Sequence, residues 1–170
     1  MKAQETKFVV VDSTPHACHL VTGMLFELSA RKVVYFTDID EAWNEIMRSP
    51  VGCIIIEHEL KGQDGFDLIE KIRSHAYERL REVPIILLTA TREKKAITKG
   101  RDLGVDEIIA KPFAANVLKM RLDAISNNRR DFVRKEGVYS GPDRRRRDLD
   151  GFQGNEKRSE DETAEQEAEG

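Results

Sequence analysis

The chain lacks any long apolar run. Nothing approaches the 18 or so uninterrupted apolar residues of a membrane-spanning helix, and the opening MKAQETKF has no apolar segment behind it that would read as a leader. Cysteine is almost missing. Cys18 and Cys53 stand far apart in sequence, each in an apolar stretch, and read as reduced core thiols rather than a bridge or a metal site. Histidine is sparse too. His16, His19, His58 and His75 share no ligand spacing, so no shared metal or catalytic histidine is expected, and His58 is expected to be exposed in a loop. The lone tryptophan, Trp43, reads as a core or half-exposed residue. Charge of one sign does not dominate: the formal net charge is -3, which selects no partner. No DNA-reading module follows the main body, which argues against direct transcriptional control. These absences point to a cytoplasmic protein.

What is present is a regular alternation. Short β-branched runs at 7–11, 32–36, 52–56, 83–88 and 105–110 have the length of buried strands. Between and after them, residues 15–29, 39–48, 66–79, 92–103 and 114–127 read as helices. Pro15 suits a first turn, and Leu20, Met24 and Leu28 form the expected inward stripe of the first helix. Ala42, Ile46 and Met47 do so for the second, Leu68, Ile69 and Ile72 for the third, and Val117, Leu118, Leu122 and Ile125 for the last. Gly100 interrupts the weaker fourth helix. Five such units predict an α/β fold, a doubly wound parallel sheet with helices on both faces and right-handed crossovers. In such sheets functional groups gather at the carboxyl ends of the strands. Asp12, Glu57, Thr89 and Lys111 all fall at predicted strand ends.

The alternation stops near Asn127, which predicts a domain over 5–127. Residues 128–150 are arginine-rich: 129–147 hold eight Lys/Arg against three Asp/Glu. The end is acidic, with seven Asp/Glu against two Lys/Arg in 156–170. Such asymmetry reads as an interaction segment, largely disordered when free over 128–170, with a solvated acidic tail from 151.

The constellation of Asp12, Glu57, Thr89 and Lys111-Pro112-Phe113 resembles the receiver domains of two-component signalling, close to the chemotaxis-type single-domain regulators. The resemblance implies a flavodoxin-like (βα)5 fold with strand order 2-1-3-4-5. It places the phosphoacceptor at Glu57, where the family has aspartate. Thr89 then matches the hydroxyl that senses the phosphoryl group, and Lys111 the lysine that pairs with it. The family's acidic pair after the first strand reads Asp12-Ser13 here, so a Mg2+ cage has lost one anionic ligand; Asp12 and Glu57 remain, the backbone carbonyl of Glu59 is the next ligand, and the Glu59 side chain is a partial substitute. Ile108 occupies the place of the family's aromatic switch. Phosphoryl transfer to a carboxylate needs the nucleophile, a cation and donors for the transferred oxygens. The degenerate set therefore predicts an adaptor, or pseudo-receiver, that is not an enzyme and works by protein–protein contact. A Glu57–Lys111 pair would imitate the charge of an activated receiver; a residual polar group at a strand end and a phosphoaccepting regulator of a phosphorelay are the alternatives. The partner, a signalling or motility protein, is expected on the face of the fourth helix, fifth strand and fifth helix, where Arg92, Lys94, Lys95, Lys99 and Arg101 lie.

The segment RRDFVRKEGVYSGPDRRRR interleaves arginines with Phe132, Tyr139 and a Gly-Pro-Asp turn. Arginine pairs with guanine edges and stacks on flat rings. The segment resembles the arginine-rich tails of chemotaxis-type receivers that bind cyclic di-GMP. That implies Tyr139, Asp143, Arg144 and Arg145, with Arg130 and Arg134, as nucleotide contacts. A solvated tail, non-specific nucleic-acid attraction and a segment folding on an acidic protein are the competing readings.

Overall fold

The computed structural model of the protein describes residues 5–90, 94–127, 130–135 and 138–143. Its elements run β1 (Lys7–Val11), α1 (Pro15–Glu27), β2 (Lys32–Phe36), α2 (Ile39–Arg48), β3 (Cys53–Glu57), β4 (Glu59–Leu60), β5 (Gln63–Asp64), α3 (Gly65–Arg73), α4 (Glu78–Arg81), β6 (Ile85–Thr89), α5 (Lys94–Asp102), β7 (Glu107–Ala110), α6 (Ala115–Asn127), β8 (Phe132–Lys135) and β9 (Tyr139–Pro142). The main sheet is parallel, in the order β2-β1-β3-β6-β7. That is the expected 2-1-3-4-5 arrangement of the five main strands.

Both faces of the sheet are covered, so its strands carry apolar side chains at nearly every position. Val9, Val11, Ile54, Ile56, Ile85 and Leu87 point to one side and pack with Ala42 and Ile46 of α2 and Leu68, Ile69 and Ile72 of α3. Phe8, Val10, Cys53, Ile55, Ile86 and Leu88 point to the other and pack with Cys18, Val21 and Leu25 of α1 and Leu118, Leu122 and Ile125 of α6. Each such fully buried side chain is worth roughly 2 kcal/mol of transfer free energy.

Several sequence expectations need correction. The inner face of α1 is Cys18, Val21 and Leu25, while Leu20 is 52% exposed. Leu20 and Phe26 share the outer side with His16, His19 and Glu27, so the apolar pattern of this helix is blurred. Met47 likewise points outward, leaving Ala42 and Ile46 as the α2 anchors. The third helix ends at Arg73 and a separate turn, α4, follows. The stretch after 127 contains paired strands, β8 and β9, within the part read as largely disordered.

Two caps set the rim of the sheet. The Asp38 carboxylate accepts from the amides of Asp40 and Glu41 at the start of α2. Gln63 donates to the same carboxylate at 3.1 Å and accepts from Ile39 N at 3.0 Å, which ties the β4–β5 ribbon to α2. Asp64 caps α3 by accepting from Phe66 N at 2.8 Å. Gly65 follows because a Cβ there would lie 2.2 Å from the Glu57 carbonyl oxygen; only glycine lets α3 start this close to the end of β3.

Candidate functional site

The register of the sheet assembles the site. Val11 pairs with Ile56, Glu57 with Leu88, and Thr89 with Ala110, so the residues that end β1, β3, β6 and β7 arrive at one edge. Asp12, Glu57 and Thr89 are buried there, at 1%, 3% and 1% exposure. Lys111 follows β7, its amide donating to Thr89 O at 2.8 Å, and is joined to Pro112 by a cis peptide bond.

The Lys111 ammonium lies between two carboxylates. It is hydrogen-bonded to Asp12 Oδ2 and stands 2.6 Å from Glu57 Oε2. Burial by itself pushes an ammonium's pKa down, but the hydrogen bonds to Asp12 and Glu57 outweigh it, and Lys111 is held above its ordinary 10.5. Two anions and one cation, mostly removed from water, make a site whose parts depend on one another.

The other oxygens are occupied as well. Asp12 Oδ1 accepts from Thr14 N at 3.0 Å and Thr14 Oγ1 at 3.1 Å, closing a turn into α1. Glu57 Oε1 accepts from His58 N at 3.1 Å and lies 3.1 Å from His58 Nδ1. A carboxylate can only accept, so Nδ1 carries the hydrogen. Glu59 N lies 3.4 Å from the same oxygen.

His58 was expected in solvent and is instead 7% exposed, packed at 5.1 Å from the Phe66 ring. Strict strand alternation would send residues 57 and 58 to opposite faces. The chain bends at His58, and both side chains end in contact. Its Nε2 lies 3.6 Å from Glu59 Oε1, a carboxylate whose side chain is 63% exposed. Ser13 is half-exposed in the loop between β1 and α1.

A divalent cation here would draw on Asp12 and Glu57. Magnesium takes about six oxygens in octahedral array. These two carboxylates already share an ammonium, and the neighbour Ser13 is a neutral hydroxyl. Among the described residues no group of three His, Cys, Asp or Glu side chains is placed to hold a metal ion. The donor set as arranged does not fit Mg2+.

The residues of the extension sit elsewhere. Arg130 Nη2 donates to the Asp106 carbonyl at 2.7 Å, and Tyr139 Oη donates to Pro142 O at 2.6 Å. Arg134 is on β8 and Asp143 follows β9, its amide donating to Asp131 O at 2.7 Å. Arg144 and Arg145 lie outside the described residues, as does Arg92. Asp106 directly precedes β7 and Lys111 directly follows it. The extension therefore meets the domain at the end of the sheet opposite Glu57. Lys94, Lys95, Lys99 and Arg101 are exposed along α5, with Lys99 paired to Asp64 at 3.1 Å and placed over the Phe66 ring. No helix of the described residues is long and apolar enough to cross a membrane.

Known proteins resemble this chain in sequence and fold. The chemotaxis protein CheY1 of Helicobacter pylori is 28% identical over 120 residues, covering 70% of this chain and 95% of its own length. CheY-3 of Vibrio cholerae is 28% identical over 119 residues, covering 70% and 90%. Among solved structures, a two-component response regulator from Clostridium difficile superposes with a TM-score of 0.65 at 25% identity, over 73% of this chain and 98% of its own. The receiver domain of a sensor histidine kinase from Pseudomonas aeruginosa, solved with magnesium in its active site cleft, gives 0.62 at 28% identity, over 69% and 94%. The family model described as the response regulator receiver domain matches residues 8–123. With a match over that span, the chain belongs to the response regulator receiver domain family.

Proposed function

We propose that this receiver works as a signalling adaptor, by contact with a protein partner, without the usual aspartyl phosphorylation. The observation that carries the reading is the engagement of the Glu57 carboxylate on both oxygens, by His58 on one and Lys111 on the other. A nucleophile held by a cation and by amide and imidazole donors is a poor one, and no good cation site adjoins it. The Glu57–Lys111 pair gives the pocket a permanent charge pattern in place of one that phosphotransfer would create. The partner face is α5, β7 and α6, where the exposed lysines favour an acidic surface.

The test is incubation with acetyl phosphate and Mg2+, read by intact mass. The adaptor gives no phosphoryl adduct; a stoichiometric adduct lost in Glu57→Gln would restore the phosphorelay alternative.

A second reading concerns the extension, which we propose takes cyclic di-GMP. It is favoured by Arg134, Tyr139 and Asp143 lying on or beside one hairpin, next in sequence to the arginine run at 144–147. Calorimetric titration into the full chain and an Arg144→Ala/Arg145→Ala variant tests it: saturable heat in the first alone supports it. Heat from single-stranded nucleic acid that vanishes at 0.2 M salt, with none from the dinucleotide, would favour non-specific attraction.

A further inference from the structure

The extension makes contacts that none of the preceding roles uses. β8 and β9 pair antiparallel, Phe132 with Pro142 through Lys135 with Tyr139, and Val138 N closes the ribbon onto Lys135 O at 3.0 Å. Two strands of four residues are marginal in water on their own. This pair has a platform.

The platform is built around Arg73, a charge only 3% exposed. Its Nε donates to Gly104 O at 2.8 Å, its Nη1 to the carbonyls of Arg81 and Val83 at 2.7 Å each, and its Nη2 to Asp106 Oδ2 at 3.0 Å. Asp106 Oδ2 also accepts from Ile85 N at 2.9 Å. The guanidinium plane is thereby fixed between α3, the approach to β6 and the approach to β7. The Phe132 ring lies over it, 5.6 Å from centroid to guanidinium carbon, a cation–π arrangement.

Two further contacts lock the strands in place. Arg130 binds the backbone oxygen of Asp106, whose side chain binds Arg73. Gly104, at φ +82°, and Gly141 meet so closely that a Cβ on Gly104 would lie 2.2 Å from Ser140 O, and one on Gly141 would lie 2.4 Å from Gly104 Cα. Gly141 and Pro142 are buried by this approach.

We infer that β8 and β9 form a latch on the base of the receiver, folded only while docked, with Arg73 positioning it through Phe132. Docking and folding are one event, because the ribbon is too small to persist free. A binder that captures the extension in extended form must undock it. A binder that needs the hairpin arrangement gains from docking. The inference is independent of whether Glu57 accepts a phosphoryl group and of which ligand the arginines take.

Hydrogen exchange of the full chain, read by mass spectrometry on segments, tests it. In the wild type, segments covering β8 and β9 should exchange at least about tenfold more slowly than an unstructured chain. Phe132→Ala and Gly141→Val should bring them to the unstructured rate while β1, β3 and β6 stay protected, and Phe132→Tyr should keep the protection. Unstructured exchange in the wild type would overturn the latch, as would protection surviving in either disruptive variant. Loss of protection in β1 and β3 together with the hairpin would overturn it too, since the extension would then be part of the core.

Discussion

The Glu57 carboxylate and the Lys111 ammonium stand 2.6 Å apart although their strands, β3 and β7, are not neighbours; β6 runs between them. The pair therefore spans the end of β6, where Thr89 sits, and its loss should be felt across three strands. Lys111→Met would leave two carboxylates, at 1% and 3% exposure, without their cation. The expected cost is about 3 kcal/mol in urea unfolding at neutral pH, against about 1 kcal/mol for Glu57→Gln, which keeps a hydrogen-bonding shape. Equal costs for the two would show that the ammonium is not shared.

The same lysine sets an alkaline limit. Its pKa is raised in the folded chain, so the stabilisation is complete below the unfolded value of 10.5 and is lost as pH rises through the higher folded value. Urea midpoints measured from pH 9 to 12 should fall in the wild type and fall less steeply in Lys111→Met.

An acid limit arises at the other end of the sheet. Glu45, buried on α2, is bonded to Lys7, Ser49 and Arg48, and the Lys7 hydrogen bond chiefly lowers its pKa to about 2 from 4.5. Its contribution is present above pH 4.5 and disappears as pH falls towards 2. Glu45→Gln should flatten the acid branch of the stability curve over that window.

Phosphoacceptance should be recoverable in two steps. Glu57→Asp alone removes the longer arm but leaves Ser13, so the cation still finds few carboxylates. Ser13→Asp with Glu57→Asp should give a phosphoryl adduct with acetyl phosphate and Mg2+, at least about tenfold more than either single variant. Full labelling of the wild type would sink this expectation.

Cys18 should be silent towards alkylating agents. It is fully buried, and burial pushes its thiol up to about 11, with the Asp12 charge adding to the effect. Native protein at pH 8 should react with iodoacetamide at least about a hundredfold more slowly than unfolded protein.

Much of this was legible in the residues. Runs such as Cys53–Ile56 have the length and branching of strands buried on both faces, and the carboxylate after that run had only one edge to occupy. Lys111 and Asp12 followed from the same reasoning, since parallel strands bring their carboxyl ends together. The face of α1 was hard to read, because the apolar Leu20 and Phe26 stand on the outer side among His16, His19 and Glu27 and blur the polar stripe. His58 was missed because a bend, not the strand period, decides where it points. The hairpin was missed because its stability lies in Arg73 and Gly104, about thirty to sixty residues away in sequence. Nothing in Phe132 or Gly141 themselves announces those partners.

All five main strands run the same way, so the molecule has a head and a foot with different chemistry. The carboxylates and Lys111 are at the head; the hairpin is strapped to the foot, roughly 15 Å away along β7. Side chains at one pole do not crowd those at the other. Pocket and hairpin are thus two separate handles on one body, a strand's length apart.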